Sequence, residues 1–356
     1  MPTYSSLEGL MVSITGGWRK APPPGPIPVG ISIEPTAWIS TSGTRGIQLT
    51  LDYSGRWPGW RFLAMGGAQR GRRAPFYGIG NATVVDDSLE AANGGVSHYY
   101  RYSLVRTTGL LAIRRRIAGP LHLQVGGQWR HYAARTLDGL PTALGDTIAT
   151  GFTGDTGSST SAELRGGLFF DTRDEEATPS RGVLVEALAV RGLKGSGDFD
   201  YTRYAFGARE FIPLGSLTTL GLRQSLELSD DRLPFYIAYE RLTAWRPDDG
   251  FGGPTTLRSN LPGRWIGENK ALASVDLRYK YWDGALASSP FRLWLLAFAD
   301  VGRVWSHDER FETNGLHTGY GAGFRFQLSK GSLFGLDFGW SPDAHFEFGS
   351  ALTMAF

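Results

Sequence analysis

Residues 346–356 read FEFGSALTMAF and alternate apolar with small or polar side chains down to the last residue of the sequence, Phe356. This period of two predicts a β-strand with one apolar face. In a soluble protein such a final strand would leave an unpaired edge and an exposed apolar face, and both promote aggregation. In a bilayer, a closed barrel pairs the edge and turns the apolar face toward acyl chains. We therefore expect an all-β fold, a transmembrane antiparallel β-barrel.

The composition agrees with a barrel and excludes a helical membrane protein. Of 356 residues, 41% are hydrophobic, and the mean hydropathy is −0.19. No stretch approaches the roughly 20 apolar residues that a membrane helix needs. Aromatic residues reach 13% and glycines number 49, as expected for interfacial girdles and a crowded inner face. The alternative from composition alone is a soluble β-sandwich or propeller.

Several kinds of function find no support in the sequence. The chain has no cysteine, and its 36 basic and 34 acidic residues give a net charge of +2, which does not indicate a nucleic-acid surface. The six histidines lack metal-ligand spacing, and no Gly-x-Ser-x-Gly motif is present. We expect no cofactor, no metal site, no nucleic-acid partner and no enzyme activity.

The alternation predicts sixteen strands. From residue 45 to 56, for example, Ile47, Leu49 and Leu51 alternate with polar residues. The predicted ranges are 2–6, 9–18, 29–40, 45–56, 59–69, 98–116, 121–133, 160–171, 182–192, 201–213, 216–228, 271–282, 291–304, 318–328, 331–340 and 347–356.

The connections between these strands alternate in length. Short turns such as 118–120 and 329–331 alternate with long stretches at 70–97, 134–159 and 229–270. Outer-membrane barrels have short periplasmic turns and long external loops, so we expect a bacterial outer-membrane location with the C-terminus in the periplasm. Residues 1–356 are then one barrel domain. Residues 1–10 contain no secretion signal, and we expect a signal, with any further N-terminal domain, to lie upstream.

Five segments resemble one family. They are FYGIGNAT (76–83), GLFFDTRDEEATPSRGVLVEA (167–187), GGPTTLRSNLPGRWIGENKALASVDLRY (252–279), AFADVGRVW (297–305) and GYGAGFRFQLSKGSLFGLDFGW (319–340). In this order they resemble the BamA/TamA superfamily of outer-membrane assembly and translocation barrels, and in particular its short members without periplasmic POTRA repeats. The resemblance identifies a family turn through Asp171, Arg173, Asp174, Pro179 and Gly182, and a C-terminal strand signal at Phe356.

The resemblance also implies an inward-folded sixth external loop. In the family, an Arg-Gly-aromatic tip on this loop enters the barrel and pairs with acidic residues of the inner wall. The matching tip here is Leu257-Arg258-Ser259-Asn260, which keeps the arginine and replaces the glycine and the aromatic residue. We expect the charge pairing to persist.

Strand parity gives the acidic partners independently of the family. If Val275, Leu277 and their alternate neighbours face lipid, then Asp276 faces inward, and the same argument on the next strand places Asp300 inside. Arg258 could reach both carboxylates with bidentate hydrogen bonds, and Arg264 is a second candidate cation. In the alternative interpretation, Asp276 and Asp300 are ordinary lumen charges that Arg278 or Lys280 neutralises.

The resemblance implies a role in membrane-protein insertion and assembly or in polypeptide translocation. The short first strand of the chain, near Pro2 to Ser6, predicts a weak seam against the last strand, where a client strand could add. Truncation of the sequence is the alternative explanation of this short strand. The alternative is a passive outer-membrane channel, or an anchoring barrel for a separate soluble domain. Expected partners are outer-membrane lipids (lipopolysaccharide and phospholipid), with unfolded outer-membrane protein clients or a periplasmic protein as further candidates.

Overall fold

The computed structural model describes residues 2–5, 9–20, 30–54, 57–91, 98–149, 156–243, 248–286, 289–329, 332–351, 354 and 356. The first strands are β1 (Pro2–Ser5), β2 (Gly9–Thr15), β3 (Trp18–Lys20), β4 (Ile31–Ser40), β5 (Arg45–Tyr53), β6 (Trp60–Pro75), β7 (Arg101–Ala118), β8 (Leu121–Arg135) and β9 (Gly157–Asp171). They are followed by β10 (Gly182–Gly192), β11 (Tyr201–Pro213), β12 (Thr218–Ser229), β13 (Glu240–Arg241), β14 (Asp248–Asp249), β15 (Asn269–Leu286), β16 (Ser289–Trp305), β17 (His317–Ser329), β18 (Ser332–Trp340) and β19 (Glu347–Ala351).

Three short helices lie in the connections: α1 (Asp87–Ala91), α2 (Ala143–Ala149) and α3 (Phe235–Tyr239). In the part of the chain that the structure describes, no helix is long and apolar enough to cross a bilayer.

All strands except β13 and β14 form one antiparallel sheet in which each strand pairs with its neighbours in the chain. Because β2 and β3 both pair with β4, they are two parts of one interrupted strand. The sheet therefore has sixteen strands, as the alternation predicted. Continuous antiparallel pairing of chain neighbours is the topology of an up-and-down barrel.

The two ends of the sheet meet. Cα atoms of β1 and β19 approach within 8 Å, yet no hydrogen-bonded ladder joins the two strands among the described residues. β1 has four residues and β19 has five, whereas β7 and β15 have eighteen each. The contact between β1 and β19, which we call the seam, is therefore much less paired than the rest of the wall.

The two faces of the sheet differ as the parity argument requires. On β15, Val275 and Leu277 are 37% and 45% exposed, whereas Asp276 between them is fully buried. On β16, Leu295 is exposed and Asp300 is buried. Apolar side chains thus cover the outer face and charged side chains line the inner face, as in a barrel that spans a membrane.

The connections at the two edges of the sheet differ in length. At one edge, which we call the turn side, β7 and β8 are joined by two residues, Gly119 and Pro120. Gly119 adopts a φ of 50° there, a conformation that glycine reaches without a steric penalty. At the other edge, the loop side, β12 and β15 are separated by residues 230–268, which include α3, β13 and β14. We call residues 230–268 the long loop.

A compact aromatic core occupies the loop side. Phe76 and Phe235 are almost fully buried, with ring centroids 5.3 Å apart, and Tyr132 of the inner wall stacks on Tyr236 at 4.4 Å. Their partners come from four different connections and strand ends: Tyr77, Tyr100, Tyr102, Leu144, Tyr201, Leu233, Ile237 and Ile266. We call this cluster the aromatic cap. Its burial holds the connections together over the loop-side opening.

The prediction for the last strand needs a correction. β19 ends at Ala351, and Leu352, Thr353 and Ala355 lie outside the described residues. Phe356 does not face lipid as the alternation predicted, because its ring lies 6.2 Å from that of Phe211 on the inner face. The terminal aromatic residue therefore packs inside the barrel.

Candidate functional site

Arg258, on the long loop, is held by Asp300 of β16. Its guanidinium donates from Nε to Oδ2 at 2.9 Å and from Nη2 to Oδ1 at 2.7 Å, and its backbone N–H donates to Oδ2 at 3.0 Å. Both side chains are fully buried. This is the bidentate geometry that only arginine provides, with the backbone amide as a third donor.

Asp276 of β15 lies beside this pair and forms ion pairs with two arginines. Arg258 Nη2 is 2.7 Å from Asp276 Oδ1, and Arg278 Nη2 is 3.0 Å from Asp276 Oδ2. The guanidinium of Arg258 also stacks 3.9 Å from the centre of the Phe298 ring. The structure thus brings Arg258, Asp276 and Asp300 together, and Arg278 shares Asp276. Lys280 does not take part, since its Nζ lies near Asp283.

Two glycines leave room for the neighbouring residue Ser259. A Cβ placed on Gly319 or on Gly339 would lie 2.6 Å from an atom of Ser259, so any larger residue would displace the loop tip. Ser259 Oγ donates to the backbone oxygen of Tyr320 at 2.9 Å. Gly319 of β17 and Gly339 of β18 therefore form the surface against which the tip packs.

Arg264 occupies a different place from Arg258. Its Nε lies 3.0 Å from Asp343 Oδ2, and its Nη1 donates to Thr83 Oγ1 at 2.8 Å. Because Thr83 and Asp343 belong to two other connections, Arg264 joins three loop-side segments. It does not contact Asp276 or Asp300, so the second candidate cation belongs to the loop-side packing.

Phe356 contacts the buried cluster of Arg258, Asp276, Asp300 and Arg278, which we call the Arg258 cluster. Its backbone oxygen accepts a hydrogen bond from Arg278 Nη2 at 3.2 Å, and its ring lies 4.9 Å from the guanidinium carbons of both Arg278 and Arg223. Cation–π contacts with two buried arginines explain why this ring turns inward. A continuous series of contacts then runs from Arg258 through Asp276 and Arg278 to Phe356.

The family turn forms a self-braced connection between β9 and β10. Asp171 accepts two hydrogen bonds from the Arg173 guanidinium, at 2.9 and 2.8 Å, and Asp174 accepts from the backbone N–H of Ser180 at 2.9 Å. Pro179 is buried. Gly182 has a φ of 101°, and a Cβ there would lie 2.4 Å from the Thr172 carbonyl oxygen. Only glycine fits at that position.

Two acidic residues of this turn reach opposite parts of the wall. Glu176 Oε2 lies 2.8 Å from Arg61 Nη1 of β6, and Glu175 Oε2 lies 3.6 Å from Arg292 Nη1 of β16. β6 and β16 are the fifth and thirteenth of the sixteen strands, eight positions apart, which is half the sheet. Residues 172–181, which we call the strap, therefore bridge facing walls at the turn side.

The hydrogen-bonding groups of the strap include an acid with a shifted pKa. Burial alone would raise the pKa of Asp174, but hydrogen bonds from the Ser180 side chain and from the backbone N–H groups of Ser180, Arg181 and Glu175 outweigh it and lower the pKa. The ionised carboxylate is therefore part of the folded turn.

The sequence prediction missed a second set of buried charges. Arg130 Nη2 lies 2.6 Å from Glu163, and Arg325 Nη1 lies 2.8 Å from Asp337. Glu227 of β12 lies near Arg203 at 3.5 Å. All of these residues occupy inward positions on their strands, so the parity that located Asp276 and Asp300 would have located them as well.

An inner chamber of about 380 Å³ remains between the long loop and the wall of β4 to β8. Polar side chains such as Gln48, Gln69 and Gln128 face Glu240 and Thr255 of the loop across this space. Arg106 of the wall lies 3.3 Å from Glu240. Residues of the long loop thus contact β15 and β16 through Arg258 and line this chamber on the side facing β4 to β8.

Comparison with solved structures identifies the architecture. The chain resembles BamA from Haemophilus ducreyi lacking POTRA domains 1–3 with a TM-score of 0.63 and 13% identity, covering 98% of this chain and 69% of that one. It resembles CdiB from Escherichia coli (TM-score 0.62, 13% identity, 99% and 61% covered) and CdiB from Acinetobacter baumannii (0.56, 12%, 98% and 57%). The chain thus spans less than two thirds of either CdiB chain.

Sequence comparison gives the family. No curated protein is significantly similar to the chain. The profile of the Omp85 superfamily domain matches residues 77–353, which include the strap, Arg258, Asp276 and Asp300. With a sixteen-strand antiparallel sheet, an apolar outer face and neighbours that include BamA and CdiB, this chain is an outer-membrane barrel that belongs to the Omp85 superfamily.

Proposed function

We propose that this barrel assists insertion of membrane proteins or translocation of polypeptides by offering the edges of its seam to a client strand. An unpaired strand edge presents a row of backbone donors and acceptors, and a client in an extended conformation can pair with it. The activity requires only backbone hydrogen bonds, so it needs no catalytic side chain and no cofactor.

The observation that supports this proposal is the seam itself. β1 and β19 are adjacent, but they are short and share no ladder in the described part of the chain. By contrast, the register of β7 with β8 extends over almost the full length of both strands. Since each net backbone hydrogen bond contributes about 0.5–1.5 kcal/mol, opening the seam in the described part of the chain should cost much less than separating β7 from β8.

The Arg258 cluster has a complementary role in the proposal. Its ion pairs hold the long loop to β15 and β16, four and three strands from β19. A loop lock at this position stabilises a part of the wall three to four strands from the seam, so the seam can open while the lock stays closed. Arg258, Asp276 and Asp300 are then the locking residues, and Arg264 secures the loop-side end of the same loop.

The orientation follows the lengths of the connections. We propose that the loop side faces the exterior and that the turn side, with the strap and the C-terminus, faces the periplasm. Unfolded client proteins and any periplasmic partner would then approach from the side of the strap, and the surrounding lipids would contact the apolar outer face.

A passive channel is the second candidate function, and the inner chamber favours it. A lumen space of about 380 Å³ between the long loop and the wall of β4 to β8 could hold water. However, the cap covers the loop side and the strap spans the turn side, so a steady wide pore would require both to move.

The two functions can be separated in liposomes. Because the chain contains no cysteine, one cysteine in β1 and one in β19, tested in several registers, can form a disulfide across the seam. We expect the oxidised barrel to lose acceleration of client folding and the reduced barrel to regain it. The matched control is a disulfide between Thr107→Cys and His131→Cys, which are directly opposite on β7 and β8.

The same samples give the outcome that would contradict the proposal. If the seam-locked barrel accelerates client folding as well as the unlocked barrel does, client addition at the seam is wrong. A steady large conductance in planar bilayers, without any acceleration of folding, would support the passive channel.

A further inference from the structure

The outer wall carries a groove with two arginines at its loop-side end. The groove has a volume of about 580 Å³ and runs across β2, β4, β5, β6 and β7. Its apolar lining includes Ile14, Ile39 and Ile47, which are 73%, 59% and 63% exposed. Arg45 and Arg70 line the same groove, and both are exposed.

The two arginines stand next to each other without a carboxylate. Arg45 and Arg70 are directly opposite in the ladder between β5 and β6, where Cα atoms are about 5 Å apart. Like charges at such positions destabilise a sheet. Among the described residues that line the groove, none is acidic. An anion bound between them would remove the repulsion.

A third arginine extends this basic surface. Arg135 is exposed at the end of β8. It lies two strands from Arg70 and two residues closer to the loop side. Standard sheet spacing puts its Cα about 12 Å from that of Arg70. Three guanidinium groups at this separation can contact either one large anionic headgroup or two phosphates of the same molecule.

Two other places on the described outer wall lack this combination. A second outer groove of about 480 Å³ on β12 to β17 is lined on its outer side by Leu222, Val275, Val301 and Tyr320 and has no outward-facing cation. Arg191, exposed on the outer face of β10, is paired with Asp200. The basic groove is therefore not a general property of the barrel surface.

We propose that this groove binds the lipid A part of lipopolysaccharide, with acyl chains along the apolar lining and a phosphate between Arg45 and Arg70. The pairing of guanidinium forks with phosphate supplies the headgroup contact, and exposed isoleucines supply the chain contact. The inference rests on the proposed orientation, in which the loop side faces the outer leaflet. It does not depend on client insertion or on conductance.

Binding can be measured on the purified full chain in detergent by native mass spectrometry and by titration with diphosphorylated lipid A. The test variant is the double substitution Arg45→Gln with Arg70→Gln. The double variant loses two charge-assisted contacts with phosphate, so we expect the Kd for lipid A to rise at least about tenfold. Heat-modifiable mobility in gels shows whether each variant is folded.

The matched control is Arg191→Gln, which removes an exposed outer-face arginine near the loop side that already has an acidic partner. We expect it to leave the Kd for lipid A unchanged, and we expect dephosphorylated lipid A to bind the unmodified protein as weakly as lipid A binds the double variant. The proposal is overturned if the folded double variant binds lipid A as the unmodified protein does, or if Arg191→Gln causes an equal loss.

Phosphatidylglycerol provides the last arm of the experiment. If it binds as tightly as lipid A, with the same loss in the double variant, the groove selects an anionic phospholipid and the lipid A assignment is wrong. Because the assay contains no client protein, failure of lipid binding leaves the seam proposal untouched. A barrel that binds lipid A but never accelerates folding would instead contradict the seam proposal alone.

Discussion

Arg258 and Asp300 share three hydrogen bonds, two from the guanidinium and one from the backbone N–H of the same arginine. The carboxylate therefore fixes both the side chain and the backbone of the loop tip. Asp276 supplies a second negative charge to Arg258 at 2.7 Å and is itself balanced by Arg278. Two carboxylates and two guanidinium groups thus form a buried, charge-neutral cluster, the arrangement in which buried ion pairs can be tolerated.

The first prediction is that Arg258→Ala destabilises the barrel. Removing one partner leaves Asp300 buried without its counter-charge, which costs about 3–5 kcal/mol. Arg258→Lys keeps the charge but loses the forked guanidinium, so its stability should lie between that of the wild type and that of Arg258→Ala. The measurement is the melting temperature of heat-modifiable mobility, together with the rate of proteolysis within residues 230–268.

Arg191→Gln serves as the control for this prediction, because the exposed pair with Asp200 is expected to contribute only about 0–1 kcal/mol. The loop lock is wrong if Arg258→Ala and Arg191→Gln melt at the same temperature and the long loop is equally resistant to protease in both.

The second prediction concerns backbone exchange at the seam. Since β1 and β19 share no ladder in the described part of the chain, their amides should exchange with deuterium much faster than those of β7 and β8. Hydrogen exchange followed by mass spectrometry gives the comparison within one sample. Equal protection of β19 and β8 would show a fully paired seam.

Strand parity predicted much of this structure, because a period of two is fixed by the backbone and survives in the sequence. The sixteen strands and the inward placement of Asp276 and Asp300 follow from it directly. Parity could not predict Asp343 as the partner of Arg264, since Asp343 and Thr83 lie in connections without a period. It was wrong for Phe356, whose ring packs against two inward arginines, Arg223 and Arg278.

The long-range contacts of the strap also could not be predicted from the sequence pattern. The resemblance identified Asp171, Arg173, Asp174, Pro179 and Gly182 as a turn, and the structure gives their local contacts. The reach of Glu175 and Glu176 to β16 and β6 depends on the diameter of the closed sheet, which no local pattern encodes. Tertiary ion pairs across the barrel therefore leave no periodic signal in the sequence.

The third prediction is that Glu176→Gln loosens the strap. Arg61 pairs with both Glu176 and Asp52, so the substitution removes the bridge to β6 while the wall arginine keeps one partner. We expect a higher frequency of channel openings in planar bilayers and faster exchange of backbone amides in residues 172–181. Glu210→Gln, an exposed acidic residue at the outer face of β11, is the control, and identical openings in both variants would contradict a closing role for the strap.

The fourth prediction is a pH dependence of the family turn. Because hydrogen bonds lower the pKa of Asp174 in the folded turn, its stabilising contribution is complete above the unfolded pKa of about 3.9 and is lost as the pH falls through the lower folded value. Protection of the Ser180 and Arg181 amides, corrected for intrinsic exchange rates, should therefore decrease below about pH 4. In Asp174→Ala, which removes both acceptor oxygens, this protection should already be low at neutral pH and should not change further on acidification. A wild-type turn with constant protection down to pH 2 would rule out the ionised carboxylate as its brace.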